Sequence, residues 1–185
     1  PKEKKKTLIF LGALSRDKGI EDALKIFSKL DRINSDFQFW VVGKGTPSYL
    51  KSLKLKSKQL GIDRKIKFWG FVSEEKKFEL LKRAHLLINP SIREGWGLVV
   101  IEAASVGTPA VGYNVAGLKD SILDGKTGLL CNPNPEACSE AVLQLMSDQT
   151  KYNTLRGNCF KWAKRFSWQT SSKNSLALIE KLINL

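Results

Sequence analysis

Glu94 and Glu102 are separated by seven residues that include a glycine-bracketed tryptophan, Gly95-Trp96-Gly97, and an apolar run from Leu98. Ionised carboxylates only accept hydrogen bonds, so a pair of them beside a binding loop suits a ligand rich in hydroxyl donors. Gly95 and Gly97 let backbone approach such a ligand closely. If Leu98 opens a helix, the N–H groups of its first turn lack helical partners and favour an anion such as phosphate. A nucleotide sugar carries hydroxyls and phosphates together. Spacing alone leaves a second reading open, a buried helix entered through a glycine-rich loop with surface glutamates, because a short motif is a hypothesis until its context is known.

The elements that must position these residues alternate between strand and helix. His85 opens an apolar run that Pro90 terminates, so 85–89 reads as a strand, the stretch from Ser91 to Gly97 as the loop after it, and 98–106 as the next helix. Upstream, 7–11, 37–42 and 65–69 read as strands, each followed by glycine. Ile20, Ala23, Leu24, Phe27 and Leu30 recur at helical spacing, and Thr46-Pro47 and Ser73 start helices over 47–60 and 74–83. Downstream, strands are expected at 108–112 and 128–131, a short helix at 117–123, and a helix from Asn134-Pro135 to Met146. The remainder, 151–185, reads as helices broken near Phe166-Ser167, with Ser167 as a cap. Strands that are mostly apolar throughout belong to a parallel sheet covered on both faces. The predicted fold is therefore α/β, a Rossmann-like three-layer domain with a mostly parallel six-stranded sheet and carboxyl-terminal helices. Its ligands bind at the carboxyl ends of strands, near a reversal of strand order.

At 185 residues, 42% hydrophobic and 9% aromatic, the chain has the length of one domain and the composition of a globular one. Its 31 Lys and Arg against 18 Asp and Glu give a net charge of +13, which attracts nucleotides, acidic lipid head groups or nucleic acid. The basic residues are spread along the chain, so part of that charge is a solvated exterior. Cys131, Cys138 and Cys159 are odd in number and lack metal-ligand spacing with the single histidine, His85. They read as reduced thiols of a cytoplasmic protein, and His85 as structural. No apolar run approaches bilayer-spanning length, and the start lacks a signal peptide's apolar segment. The missing initial methionine suggests an excised domain.

Several chemistries are excluded by their motifs. Gly12 is followed by Ala13-Leu14-Ser15, not by the dinucleotide fingerprint, which argues against a nicotinamide enzyme. Gly125-Lys126-Thr127 resembles the end of a P-loop, but Asp120 stands where the first glycine is needed. The tryptophans at 40, 69, 96, 162 and 168 are scattered and form no stacking platform, so nucleic acid is not an expected partner.

Across 8–146, the order of these pieces resembles the carboxyl-terminal, donor-binding domain of retaining GT-B glycosyltransferases of the family-four, group 1 type. Glu94 and Glu102 match its paired glutamates. Asp17-Lys18-Gly19, Val42-Gly43-Lys44-Gly45, Gly70-Phe71-Val72, Gly107-Thr108-Pro109 and Asp124-Gly125-Lys126-Thr127-Gly128 match its supporting loops. The resemblance implies one half of a GT-B fold, with the acceptor-binding amino-terminal domain absent from this chain. It also implies a cytoplasmic transferase of polysaccharide biosynthesis, with the inner face of the membrane as a second placement and peripheral membrane contact.

Within that resemblance, Lys18 holds the donor's diphosphate and Glu94 contacts the transferred sugar, and these two are the expected catalytic residues. Gly12, Gly43 and the backbone of Gly95, Trp96, Gly97 and Leu98 meet the sugar and phosphates, Glu102 accepts from the ribose, and Phe71 and Val72 lie against the base. The departing diphosphate is stabilised electrostatically, so neither cofactor nor metal is expected. The family places an arginine directly after the first glycine; this chain has Ala13 there, and Arg16 is the substitute. The isolated chain is expected to bind donor weakly and transfer little, the acceptor being a glycan or lipid-linked sugar. A non-catalytic nucleotide-sugar binding module, favoured by Ala13, and a GT-B epimerase are the alternatives.

Overall fold

Strands buried on both faces need neighbours on both sides, and the computed structural model shows how this chain supplies them. It describes residues 1–183, without the side chains of Trp168 and Thr170. The Trp168 ring, and the last two residues of the helix expected to reach Leu185, lie outside the described residues.

Six strands, β1 (Lys6–Leu11), β2 (Phe37–Val42), β3 (Ile66–Gly70), β4 (Leu86–Asn89), β5 (Ala110–Tyr113) and β6 (Gly128–Cys131), pair in the order β3-β2-β1-β4-β5-β6. Every pairing is parallel, so the sheet is wholly rather than mostly parallel. The order reverses between β1 and β4, whose registers pair Leu8 with Leu86 and Ile9 with Leu87. The helices that follow these two strands lie on opposite faces of the sheet, and ligands of such sheets bind in the crevice at that point.

Alternate residues of each strand face opposite layers. Leu8, Phe10, Phe39 and Val41 pack with α1 (Ile20–Ile33) and α6 (Pro135–Ser147). Ile9, Trp40, Val42 and Leu87 pack with α3 (Glu74–Arg83), α4 (Leu98–Ser105) and α5 (Leu118–Ser121). Phe27 of α1 stacks on Phe39 with ring centroids 5.3 Å apart. Each such fully buried side chain contributes about 1.5–3 kcal/mol. α2 (Pro47–Gln59) starts at Thr46, whose side chain accepts from Tyr49 N–H, and Ser73 and Asn134 cap α3 and α6 in the same way. Two more helices, α7 (Gln149–Ala163) and α8 (Trp168–Ile183), complete the described chain. α7 packs Cys159 and Ala163 on Ile101 and Ala104 of α4.

Three strands begin later than expected, for identifiable reasons. β5 begins at Ala110 because Thr108 turns its hydroxyl to Leu81 O (2.6 Å) and Pro109 has no N–H to donate. β4 begins at Leu86 because the His85 ring Nδ1 itself accepts Thr7 N–H at 3.0 Å. β3 begins one residue late because Lys65 closes a 3-10 turn, Asp63–Lys65. The break between α7 and α8 falls at 164–167, where the Phe166-Ser167 break is expected.

Candidate functional site

The β1–α1 and β4–α4 loops meet at the reversal of strand order and are fastened to each other. Ile92 N–H donates to Asp17 O at 3.0 Å. Gly19 enters α1 with φ +71, and a Cβ there would lie 1.9 Å from Pro90 O, so only glycine permits this approach. The fastening puts Lys18 opposite Glu94. The Lys18 ammonium donates to Glu94 Oε1 and Oε2 at 2.8 and 2.9 Å, and Ser91 Oγ adds a bond to Oε2 at 3.2 Å. The Glu94 side chain is 13% exposed and that of Lys18 33%, so the pair is partly shielded from water. Gly117 supports the loop from behind: with φ +81, a Cβ there would lie 2.2 Å from Glu94 O.

Lys18 and Glu94 line a cavity of about 370 Å³ together with Gly12, Asn89, Ser91, Gly95, Trp96, Gly97 and Leu98. Gly97 is the residue before α4, so the free N–H groups of that helix's first turn open at the cavity. Trp96 anchors the entrance, its ring meeting Phe166 edge-on at 4.8 Å. The chemistry available is a cation and helix amides for an anion, next to a carboxylate for hydroxyls.

A second cavity of about 320 Å³ shares Leu11 and Gly12 with the first, and is lined by Ala13, Gly43, Lys44, Phe71, Val72 and Lys77. Phe71 is 71% exposed, with Lys44 Nζ 4.2 Å from its ring centroid. Exposed aromatic surface beside a cation offers a flat ring somewhere to stack.

Two expected site residues lie elsewhere. Arg16 does not join Lys18: its side chain is 86% exposed, 3.7 Å from Glu21, in a separate cleft between the 14–17 loop and the start of α2. That cleft is the larger at about 660 Å³, yet it holds neither Lys18 nor Glu94. Glu102 does not line the Lys18–Glu94 cavity. Its Oε1 accepts from Lys77 Nζ at 2.8 Å, and Lys77 lines the second cavity. Burial works against the charge on Lys77, but hydrogen bonds to Glu102 and Glu74 hold its pKa above the ordinary lysine value.

Ser91 and Lys77 are the two functional candidates that sequence patterns do not single out. Ser91 sits three residues before Glu94 in the same loop, a visible signal; Lys77 is one of several lysines in α3 and carries none. His85 lies away from both cavities. Burial, with Lys2 and Arg156, lowers its pKa to about 4, which keeps the ring neutral to accept from Thr7. Among the described residues no group of three or more His, Cys, Asp or Glu side chains converges as a metal site, and no helix is long and apolar enough to cross a membrane.

The family model described as glycosyl transferases group 1 matches residues 1–162. A D-inositol 3-phosphate glycosyltransferase of Corynebacterium urealyticum is 31% identical over 183 residues, which cover 96% of this chain and 43% of that protein. A glycogen synthase of Mycobacterium tuberculosis is 31% identical over 166 residues, 88% of this chain and 39% of the relative. The chain thus spans less than half the length of either. Among solved structures, sucrose-phosphate synthase from Thermosynechococcus elongatus superposes with a TM-score of 0.90 at 23% identity, over 98% of this chain and 46% of the other. HepE of Anabaena, solved in complex with UDP and glucose, superposes at 0.86 and 23% identity, over 98% and 49%.

Proposed function

This chain belongs to the glycosyl transferases of group 1, and we propose that it is the donor-binding half of a retaining transferase that passes a hexose from a nucleotide-diphosphate sugar to a glycan or lipid-linked acceptor. The observation that carries this reading is the Lys18–Glu94 pair facing one cavity at the entrance to α4. Lys18 and the α4 amides take the diphosphate. Glu94, released from Lys18, accepts from hydroxyls of the sugar. The neighbouring cavity takes the nucleoside, its base against Phe71 and Val72. UDP in the HepE complex supports a nucleotide as ligand of this fold.

In the transfer step the bond between the anomeric carbon and the diphosphate oxygen breaks, and negative charge gathers on the leaving group as the sugar gains oxocarbenium character. Lys18 and the preorganised amides stabilise that charge, an effect worth about 3–4 kcal/mol per well-placed donor. The reading assigns this role to protein groups, without a metal or cofactor. Acceptor recognition is assigned to an amino-terminal domain outside this chain, and the place of work to the cytoplasm or its membrane face.

Titration calorimetry of the chain against UDP, GDP and ADP, and against their hexose conjugates, tests the proposal. Saturable binding of at least one diphosphate, lost in Lys18→Met, supports it. Absence of binding to the whole panel overturns it. A non-catalytic nucleotide-sugar module is the second reading, favoured by Ala13 on the cavity wall. Transfer by a two-domain protein carrying this chain separates the two.

A further inference from the structure

Asn89 ends β4 and helps to line the Lys18–Glu94 cavity, although it is only 5% exposed. Its two amide atoms have different fates. Oδ1 accepts Ser91 N–H at 3.3 Å across Pro90, and because that partner is a donor, this atom is the oxygen and not the nitrogen. Ser91 Oγ in turn donates to Glu94 Oε2, so a single serine links the side chains of Asn89 and Glu94. Nδ2 carries two N–H donors and makes no hydrogen bond among the described residues. Nor is it sealed in the core, since the one fully buried side-chain nitrogen or oxygen without a partner among those residues is Trp69 Nε1. The Asn89 amide therefore opens on the cavity that the residue borders. The Asn-Pro turn needs only the oxygen, and aspartate or serine would accept the same N–H. What asparagine adds is the amide, and a nearly buried donor without a partner lowers stability, so its place calls for a ligand oxygen.

We propose that Asn89 is a specificity residue, whose Nδ2 donates to the oxygen of a hexose hydroxyl while Glu94 accepts a hydrogen bond from that same hydroxyl. The inference rests on the proposed function, in which Glu94 faces the sugar. A hydroxyl gives one hydrogen bond and accepts others, so it satisfies both side chains at once. A phosphate oxygen only accepts, and beside Asn89 it would meet the negative charge of Glu94; Lys18 and the α4 amides serve it better. A site paired to one hydroxyl in both directions rejects the sugar lacking it, because the loss strands a donor and an acceptor together.

Calorimetry with ligands changed one hydroxyl at a time tests this. The tightest-binding hexose conjugate of UDP, GDP or ADP is titrated into the chain beside its free diphosphate and its monodeoxy forms, each lacking one hydroxyl of the hexose. The wild-type chain is expected to bind at least one monodeoxy form about tenfold or more weakly than the parent. Asn89→Ser keeps a neutral acceptor for Ser91 N–H and removes the amide. It is expected to weaken the parent conjugate about tenfold, while the free diphosphate and that same monodeoxy form bind as before. Asn89→Asp keeps the outline and the acceptor, and is expected to lower the ratio of conjugate to diphosphate affinity by the same factor, since its charge acts on both ligands. A wild-type ratio in either folded variant overturns the inference and leaves the nucleotide-sugar site standing. So does an equal loss for diphosphate and conjugate, the mark of a displaced loop or a phosphate contact, and so does a loss shared by every monodeoxy form. Failure of the wild-type chain to bind any diphosphate overturns the proposed function itself.

Discussion

Glu94 gives both of its carboxylate oxygens to the Lys18 ammonium, at 2.8 and 2.9 Å, so the acid and the cation of the cavity are closed on each other. Under the proposed function, a diphosphate arriving at Lys18 competes with Glu94 and so frees the carboxylate for the sugar. That reading links phosphate recognition to sugar recognition through one side-chain contact.

This linkage gives opposite signs for two neighbouring substitutions. Lys18→Met removes a charge-assisted bond and is expected to weaken nucleoside diphosphate binding about 10- to 100-fold. Glu94→Gln removes both the competitor and a like charge, so the same ligand is expected to bind about fivefold more tightly, roughly 1 kcal/mol. In a two-domain protein carrying this chain, Glu94→Gln abolishes transfer despite the tighter binding. Calorimetry with the diphosphate measures the first two effects. Weaker binding in Glu94→Gln contradicts a competing pair.

Gly117 touches no expected ligand, yet its substitution is expected to damage the site. Alanine at φ +81, with its Cβ 2.2 Å from Glu94 O, forces the Glu94 loop off Lys18. The predicted cost to stability is about 2 kcal/mol or more. Chemical denaturation should show the lower midpoint, and calorimetry a loss of diphosphate affinity at temperatures where the variant is still folded.

The residues themselves explain what was legible beforehand. Strands such as β2 and β4 are mostly apolar, with Gln38 and Asn89 as exceptions, and are followed by glycine or proline, so their existence and parallel pairing follow from composition. The ends of β4 and β5 do not, because they depend on the His85 ring replacing a ladder partner and on the Thr108 hydroxyl finding Leu81 O. Lys18 and Glu94 stand in local motifs and are visible in the chain. Lys77 and Glu102 are distant in sequence and meet only because α3 packs on α4, and Lys77 sits among lysines that face solvent. Arg16, two residues from Lys18, shares its motif but not its direction: Gly19 N–H donates to Arg16 O at 2.9 Å, and that turn carries the guanidinium away.

His85 predicts a pH dependence whose sign can be worked out. Burial first, then Lys2 and Arg156, lower its pKa from 6.5 to about 4, with Glu3 opposing and Lys6 adding. Between pH 4 and 6.5 the unfolded chain binds more protons, so stability rises with pH; it is present above 6.5 and lost as pH falls towards 4. Allowing for partial exposure, the contribution is roughly 2 kcal/mol. Lys2, lowered chiefly by burial to about 7, adds a second rise in stability above that pH. His85→Asn keeps an acceptor for Thr7 N–H and removes the titration. Urea denaturation of both proteins from pH 4 to 7 should show a difference that narrows as pH falls, and parallel curves refute the assignment.

Ala13 offers the last test, because it is a gain rather than a loss. It is exposed and lines the second cavity beside Gly12, Gly43 and Lys44. Arg16 does not serve that cavity, since it lies in the separate cleft with Glu21. Lys18 is therefore the only cation on the first cavity wall among the described residues, and it is shared with Glu94. An arginine at 13 adds a planar donor fork next to the shared wall at Gly12, with geometry suited to a second phosphate oxygen. Ala13→Arg is expected to tighten nucleoside diphosphate binding about tenfold, the value of one charge-assisted bond, and to change monophosphate binding little. Arg16→Ala is expected to leave both unchanged. Calorimetry with the di- and monophosphate decides: equal gains for both ligands indicate a general charge effect, whereas a gain confined to the diphosphate places it at this wall.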